Sequence, residues 1–482
     1  MFRRIAVLVL FLAAFHLSAS GSPAAWVEVQ SPHFTLVTDA GDQQGRRVLD
    51  QFERMRGVFR TLFPHAHVDP PAPVLIIAAK DQEHFEALEP LAYLAKDKIS
   101  LAGLFLNAED KNYILLRLDA DGAIPCATIY HEYTHLQLSY ASDWLPLWLN
   151  EGLAEFFQNT DIRDTGVQLG KPSFNDLLYL RQNGILPLPA LFQVDVDSLD
   201  YHDQQKGSIF YAESWALTHY LEITDRRQHT HRLVDYAKRV NRHEDPVAAA
   251  GKAFGDLNRL QKALESYIAQ TTFEYLRISN AAVPIDDASF KVRTLTPVEA
   301  DAICADFLAY NQRAGDARAL LATVLQRDPG NLSAHETLGL LEMEAGHREA
   351  ARQWYEQAIK LDSQSYLVYY YYAAISIAAG SGSDAGIENS LRMAIQLNPR
   401  FAPAYDQLAS FYEARGEKPH EARMLKLQAM SLEPGGMRYR LSAANVLLEE
   451  VRPEHALHIL RPALSAAKMP DQVIRPSNPD FP

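Results

Sequence analysis

Apolar positions change their period along this chain, from strand-like runs near the start to helical steps over most of the rest. Trp26 to Thr38 alternates in two short stretches broken at Pro32, which predicts two strands. Val48, Leu49, Phe52, Met55, Val58, Phe59 and Leu62 recur at helical spacing, which predicts an amphipathic helix from Arg46 to Phe63. Pro70, Pro71 and Pro73 close the next connection, and Val74 to Ala79 is a continuous apolar run of the kind found in the middle of a sheet. Leu101 to Leu106 and Tyr113 to Leu118 read as paired strands across the polar turn Asn107 to Asn112. Ile129, Tyr130, Tyr133, Leu136 and Leu138 then mark a buried helix from Ala127 to about Tyr140. Asp143 to Pro146 reads as a turn, followed by a second helix from Leu147 to Gln158. Beyond it the pattern stays helical: Phe174 to Arg181, Tyr211 to Ile223 and Leu257 to Ile278, with Asp195 to Gly207 a loop bordering a cleft.

The last third repeats itself. Asp328-Pro329, Leu361-Asp362, Asn398-Pro399 and Glu433-Pro434 recur about every 34 to 36 residues, the length of a helix pair in a tetratricopeptide array. Gly346, Gly380 and Gly416 fall at the expected turns, and Ala358 and Ala394 where helices cross closely. Val298 to Pro329 and Leu441 to Ala466 read as degenerate first and last repeats. Such a solenoid presents a surface for peptides or protein partners. The tyrosines at 366 and 369 to 372 surround a helix, so some fill helix-pair interfaces while others can face a groove.

One stretch carries chemistry. His131-Glu132-Tyr133-Thr134-His135 puts two imidazoles four residues apart, on one face of a helix and aimed at one ion. Glu132 projects about 100° round from His131, where it can hold a water without being a ligand. A zinc site of this kind needs a third protein ligand and an open position for water or substrate. Glu151, on the following antiparallel helix, is placed to supply it, and Glu155 one turn on can accept a hydrogen bond from a ligand histidine.

His-Glu-Tyr-Thr-His followed by Trp148-Leu-Asn-Glu-Gly-Leu-Ala-Glu155 resembles the gluzincin metallopeptidases, in particular the M1 aminopeptidase clan and its peptidase MA-like relatives. The resemblance implies Glu151 as third zinc ligand. It also covers Tyr211-Ala-Glu-Ser-Trp-Ala-Leu-Thr-His-Tyr-Leu-Glu222, and implies that the Tyr211 hydroxyl stabilises the tetrahedral intermediate. Two departures stand out. The fifteen residues between His135 and Glu151 are fewer than is usual in the clan, and there is no Gly-x-Met-Glu-Asn segment, which in M1 enzymes binds the substrate amine. Aminopeptidase specificity therefore does not carry over. An exposed strand beside the metal pairs with extended substrate in such enzymes, a role open to Leu101–Leu106 or Tyr113–Leu118, which can equally be ordinary members of a mixed sheet.

The expected fold class is α+β: a zincin-like metallopeptidase domain with a mixed sheet and a helical half, then an all-α tetratricopeptide solenoid. Residues 1–22 read as a secretory signal, with Arg3 and Arg4 before the apolar run Ile5 to Phe15 and small residues at Ser18 to Gly21. That run is short for a membrane span, and an uncleaved anchor is the minor alternative to cleavage and export to a periplasmic or secreted location. The expected boundaries continue as an N-terminal α+β part at 23–125, a helical catalytic part at 126–280, a linker at 281–297, repeats at 298–468 and a disordered tail at 469–482. Net charge is −14 with no basic patch, which argues against nucleic acid as a partner. Cys126 and Cys304 fall in different expected domains, and Cys126 reads as a small buried residue rather than a ligand. The chemistry expected is Zn2+-assisted hydrolysis of peptide or protein substrates by His131, Glu132, His135, Glu151 and Tyr211. The rival is a repeat-based interaction protein whose peptidase-like domain is inactive or structural.

Overall fold

The computed structural model describes residues 25–460, apart from 64–72, 93, 95–100, 109, 120–126, 142–144, 164–165, 195–203, 243, 279–286, 434–435, 450–453, 455 and 458. The expected signal segment, the expected tail, Cys126 and the first half of the Asp143 turn lie outside the described residues.

A six-stranded mixed sheet forms the centre of the N-terminal half. Its strands are β1 (Val27–Gln30), β2 (Thr35–Thr38), β3 (Val74–Ala79), β4 (Gly103–Asn107), β5 (Asn112–Arg117) and β9 (Lys291–Thr294), in the order β4-β5-β3-β2-β1-β9. β3 pairs in parallel with both β2 and β5, while β4 runs antiparallel to β5 at the sheet's edge. The continuous apolar run of β3 follows from burial on both faces. On one face Leu36, Ile76, Ala78, Ile114 and Leu116 pack against α1 (Asp42–Leu62) and α3 (Ala127–Ala141), around Phe52, Tyr133 and Leu136. On the other, Val37, Ile77, Ala79, Tyr113 and Leu115 meet α11 (Pro297–Tyr310), α12 (Ala314–Arg327) and α13 (Leu332–Glu344) through Phe307, Leu308, Leu321 and Leu338. The short α2 (Gln82–Glu86) closes this side.

Within the expected linker at 281–297, the described residues include a strand. Lys291–Thr294 is β9, paired antiparallel with β1, and Arg293 bridges Glu28 and Glu299. Thr296 and Glu299 then form a reciprocal capping box that starts α11 with Pro297 in its first turn. The reason is energetic: the face of β2, β3 and β5 turned away from α3 is apolar, and the first helix pair covers it.

The helical half is built from α4 (Leu147–Gln158), α5 (Phe174–Asn183), α6 (Leu188–Leu191), α7 (Gln204–Gln228), α8 (Arg232–Val240), α9 (Pro246–Phe254) and α10 (Leu257–Ile268). Trp148, Trp215, Leu217 and Tyr236 fill its core. Three expectations change here. α7 starts at Gln204 rather than Tyr211, within the stretch expected to be a loop. α10 stops at Ile268, and Leu276–Ile278 is instead strand β8. β8 pairs with β7 (Gly166–Leu169), itself paired with β6 (Asp161–Arg163), in a second sheet within a region expected to be mostly helical. Strands of three or four residues are too short for alternation to show in the sequence.

Helix pairs follow one another from α11 to the end of the described chain: α11/α12, α13/α14 (Arg348–Lys360), α15 (Tyr366–Ala379)/α16 (Asp384–Leu397), α17 (Ala402–Arg415)/α18 (Pro419–Leu432) and α19 (Met437–Glu449). The last begins at Met437, four residues before the expected start. Gly346, Gly380 and Gly416 take φ of 77°, 58° and 66° between paired helices, a conformation that side chains other than glycine's adopt at a cost. Ala358 and Ala394 are buried at crossings. The tyrosine run mainly packs: Tyr371 stacks on Tyr355, and Tyr366 and Tyr370 sit edge-on to Phe401.

Because the sheet needs both coverings, the two halves should unfold together. Phe307→Ala, which removes a fully buried ring packed against Tyr113, should cost about 3–5 kcal/mol. In urea, tryptophan fluorescence, to which Trp26, Trp148, Trp215 and Trp354 contribute from the sheet, the helical half and the solenoid, and helical circular dichroism should report one transition, shifted in the variant. A fluorescence transition that stays at its original midpoint would contradict this coupling.

Candidate metal centre

α3 places His131 and His135 one turn apart on the same face, while Tyr133 between them turns into the core against Phe34, Phe52 and Phe59. Pro146 precedes α4, and that helix packs closely on α3 and α7. The fit to α7 depends on Gly152. A Cβ there would lie 2.2 Å from Thr218 Oγ1 and 2.5 Å from the Ser214 carbonyl oxygen. Glu151 is thereby carried up to the histidine pair.

Among the described residues, His131, His135 and Glu151 bring one ligand atom each within 4.8 Å of one another. The two Nε2 atoms are 2.9 Å apart, and each lies 3.5 Å from Glu151 Oε2. Bonds of about 2.0–2.1 Å at tetrahedral angles would set ligand atoms about 3.3 Å apart, so the donor set fits zinc in size and in kind. Of the other ring nitrogens, that of His135 has a hydrogen-bond partner able to fix its tautomer, while that of His131 has an acidic neighbour beyond hydrogen-bonding distance. His135 Nδ1 lies 3.4 Å from Asn150 Oδ1, and His131 Nδ1 lies 3.8 Å from Glu155 Oε1. Asn150 was not singled out in the sequence, although it stands inside the Trp-Leu-Asn-Glu-Gly segment.

Glu132 is only 4 % exposed and turns toward the edge strand β4. A Cβ on Gly103 would lie 2.6 Å from Glu132 Oε1 and 2.5 Å from Thr128 Cγ2. The sequence signal for this approach was a lone glycine in an otherwise bulky strand. Tyr211 is half-buried on α7 with its ring against Phe210, one turn before the Ser214 carbonyl that meets Gly152.

Without a metal the cluster is held by charge. Burial works against the His135 imidazolium, but the Glu151 carboxylate overrides it and raises His135 to about 9. Burial would raise Glu151; the histidines, His135 foremost, instead hold it down to about 2. These two shifts are one interaction seen from its two ends. In the metal-free protein the stability this pairing contributes is fully present between about pH 4.5 and 6.5, fades as pH rises through 9, and is lost as pH falls through 2. Burial raises Glu132 against the pull of both histidines, and burial with Asp176 and Glu151 nearby raises Glu155 well above the carboxylate range.

Residues 125–247 match the family described as "Protein of unknown function (DUF1570)". Among curated proteins no sequence matches. Of solved structures, the chain is similar to MamA at 23% identity, covering 34% of this chain and 94% of that one with a TM-score of 0.30. It is similar to YrrB, described as a TPR protein with an unusual peptide-binding site, at 18% identity over 35% and 91% with a TM-score of 0.30. MamA from Desulfovibrio magneticus RS-1 matches at 13% over 36% and 97%, with a TM-score of 0.31.

A zinc ion entering this site would displace the proton that Glu151 keeps on His135, so binding at pH 7 should release about one proton. Calorimetry in buffers of different ionisation heat measures this directly, and heats independent of buffer would count against it. Gly152→Ala should weaken zinc binding about tenfold or more by pushing α4 off α7, read by competition with a chromophoric chelator.

Proposed function

We propose that this chain joins a protein-binding solenoid to a zinc-dependent centre that hydrolyses peptide bonds. The observation that carries the reading is the convergence of His131, His135 and Glu151 with a buried carboxylate, Glu132, beside them and not among the ligands. The resemblance of three ordered segments to gluzincin metallopeptidases supports it, as does the position of an edge strand next to the centre.

His131 and His135 would hold the ion through Nε2, with Asn150 placed to orient His135 from the far side and Glu155 the acidic neighbour of His131. Glu151 contributes the anionic ligand. Zinc held there supplies Lewis acidity, acidifying water and polarising a carbonyl. Glu132, raised by its burial, is suited to take a proton from the attacking water and return it to the leaving amine nitrogen. The Tyr211 hydroxyl would donate to the oxyanion, a role that comes from the resemblance. Among the described residues β4 is the outer strand of the sheet, with which an extended substrate can pair. The export reading rests on residues 1–22 and places the activity in a periplasmic or secreted setting.

A second reading has its own support. The helix pairs form a protein-interaction structure whatever the centre does, and they take up the whole chain from Pro297 onward within the described residues. The protein would then be a scaffold, its metal centre a brace between α3 and α4.

Glu132→Gln separates the two. The peptidase reading expects unchanged zinc content and cleavage of a diverse peptide mixture slowed about 10²–10⁴-fold, with products read by mass spectrometry. Equal cleavage by both proteins would remove Glu132 as the base. No cleavage by either, with zinc bound to both, would favour the scaffold.

A further inference from the structure

The turn joining β4 and β5 is gripped by the solenoid. Lys111 Nζ donates to Asp306 Oδ2 at 2.7 Å, and the Tyr113 hydroxyl donates to the same oxygen. Thr337 Oγ1 donates to Asp306 Oδ1 at 2.7 Å, while the Tyr310 hydroxyl donates to Asp110 Oδ1 at 2.8 Å. The Lys111 ammonium also lies 4.8 Å from the Tyr310 ring centre. Asp306, Tyr113 and Thr337 are buried, so both carboxylate oxygens of Asp306 are engaged away from water. Burial acts against the charge on Lys111, and Asp306 more than restores it.

The same hairpin reaches the metal centre at its other end. β4 and β5 pair from Asn107↔Asn112, beside the grip, to Gly103↔Leu116, and Gly103 is where the backbone crowds Glu132 and Thr128. β5 is fixed by its parallel pairing with β3, but β4 is an edge strand held by one ladder. Edge strands open more readily than interior ones, so an anchor at the turn decides how firmly β4 lies on Glu132. A buried ion pair adds little stability compared with apolar residues of the same volume, and its best-attested use is to select one geometry.

We propose that the first two helix pairs of the solenoid are a positioning element of the metal centre, with Asp306, Lys111 and Tyr310 holding the β4–β5 hairpin so that β4 keeps Glu132 in place. None of the three touches reacting atoms. The solenoid thus serves the centre as well as any partner, and a partner bound to α11 or α13 would reach Glu132 through the hairpin. The effect on turnover rests on the reading of Glu132 as the base; the mechanical link does not.

The test uses the full, zinc-loaded chain with Asp306→Asn, Tyr310→Phe and a control, Asp406→Asn. Asp406 is also a buried solenoid acid, paired with Arg438 at 2.6 Å and remote from the hairpin grip. Amide exchange over residues 103–107 should rise about tenfold in Asp306→Asn, as expected for losing a charged buried hydrogen bond. kcat should fall with KM and zinc content unchanged, and Asp406→Asn should leave 103–107 as it was. Tyr310→Phe should act in the same direction more weakly, and keeps the test available if Asp306→Asn does not fold. Unchanged exchange at 103–107 in both grip variants, or an equal rise in Asp406→Asn, would overturn the proposal. If the unmutated protein cuts no peptide, the hydrolase reading fails by itself, and the exchange of 103–107 still decides the link.

Discussion

Three carboxylates crowd two imidazoles, with Glu132 and Glu151 buried and Glu155, His131 and His135 half-buried, and that concentration of charge is the constraint on which the site depends. Carboxylates taken out of water need a proton, a donor or a cation. Without metal the cluster resolves this by keeping a proton on His135 for Glu151 and by raising Glu132 and Glu155. A divalent cation offsets the same charge without those protons. The local packing serves this one end: Tyr133 pins α3 from the core side, and Gly152 lets α4 lie close on α7.

The central sheet links that cluster to the rest of the molecule. One face carries α3 with its histidines, and the opposite face carries the first helix pairs of the solenoid. The chain returns to this sheet through β9 after completing the helical half, so its N-terminal strands and the start of the repeats form one packed unit. The solenoid is therefore rooted on the sheet that carries the candidate metal centre, on its opposite face, with Asp306 joining its first two helix pairs to the edge hairpin.

What could be read from the sequence was what repeats or recurs at fixed helical spacing. His131 and His135 four residues apart, Glu151 after a short turn, and the glycines between paired helices all express local geometry. The α3 and α4 limits lie within a residue or so of the expected ones for the same reason. Long-range pairing left no such trace. β9 reads as part of a polar linker because only β1, over 260 residues away, makes it a strand. β6, β7 and β8 are too short to show a period. Asp306 is one acid on an ordinary amphipathic helix until Lys111, 195 residues earlier, is seen against it. Gly103 carried a weak signal, a small residue among large ones, whose meaning depends on Glu132 lying above it.

X-ray absorption at the zinc edge of the zinc-loaded protein tests the central claim most directly. One zinc per chain should be bound by nitrogen and oxygen atoms at about 2.0–2.1 Å, with an imidazole signal from two histidines. That signal should weaken in His135→Ala. Sulfur at about 2.3 Å, or an imidazole signal that His135→Ala leaves unchanged, would contradict a centre built from His131, His135 and Glu151.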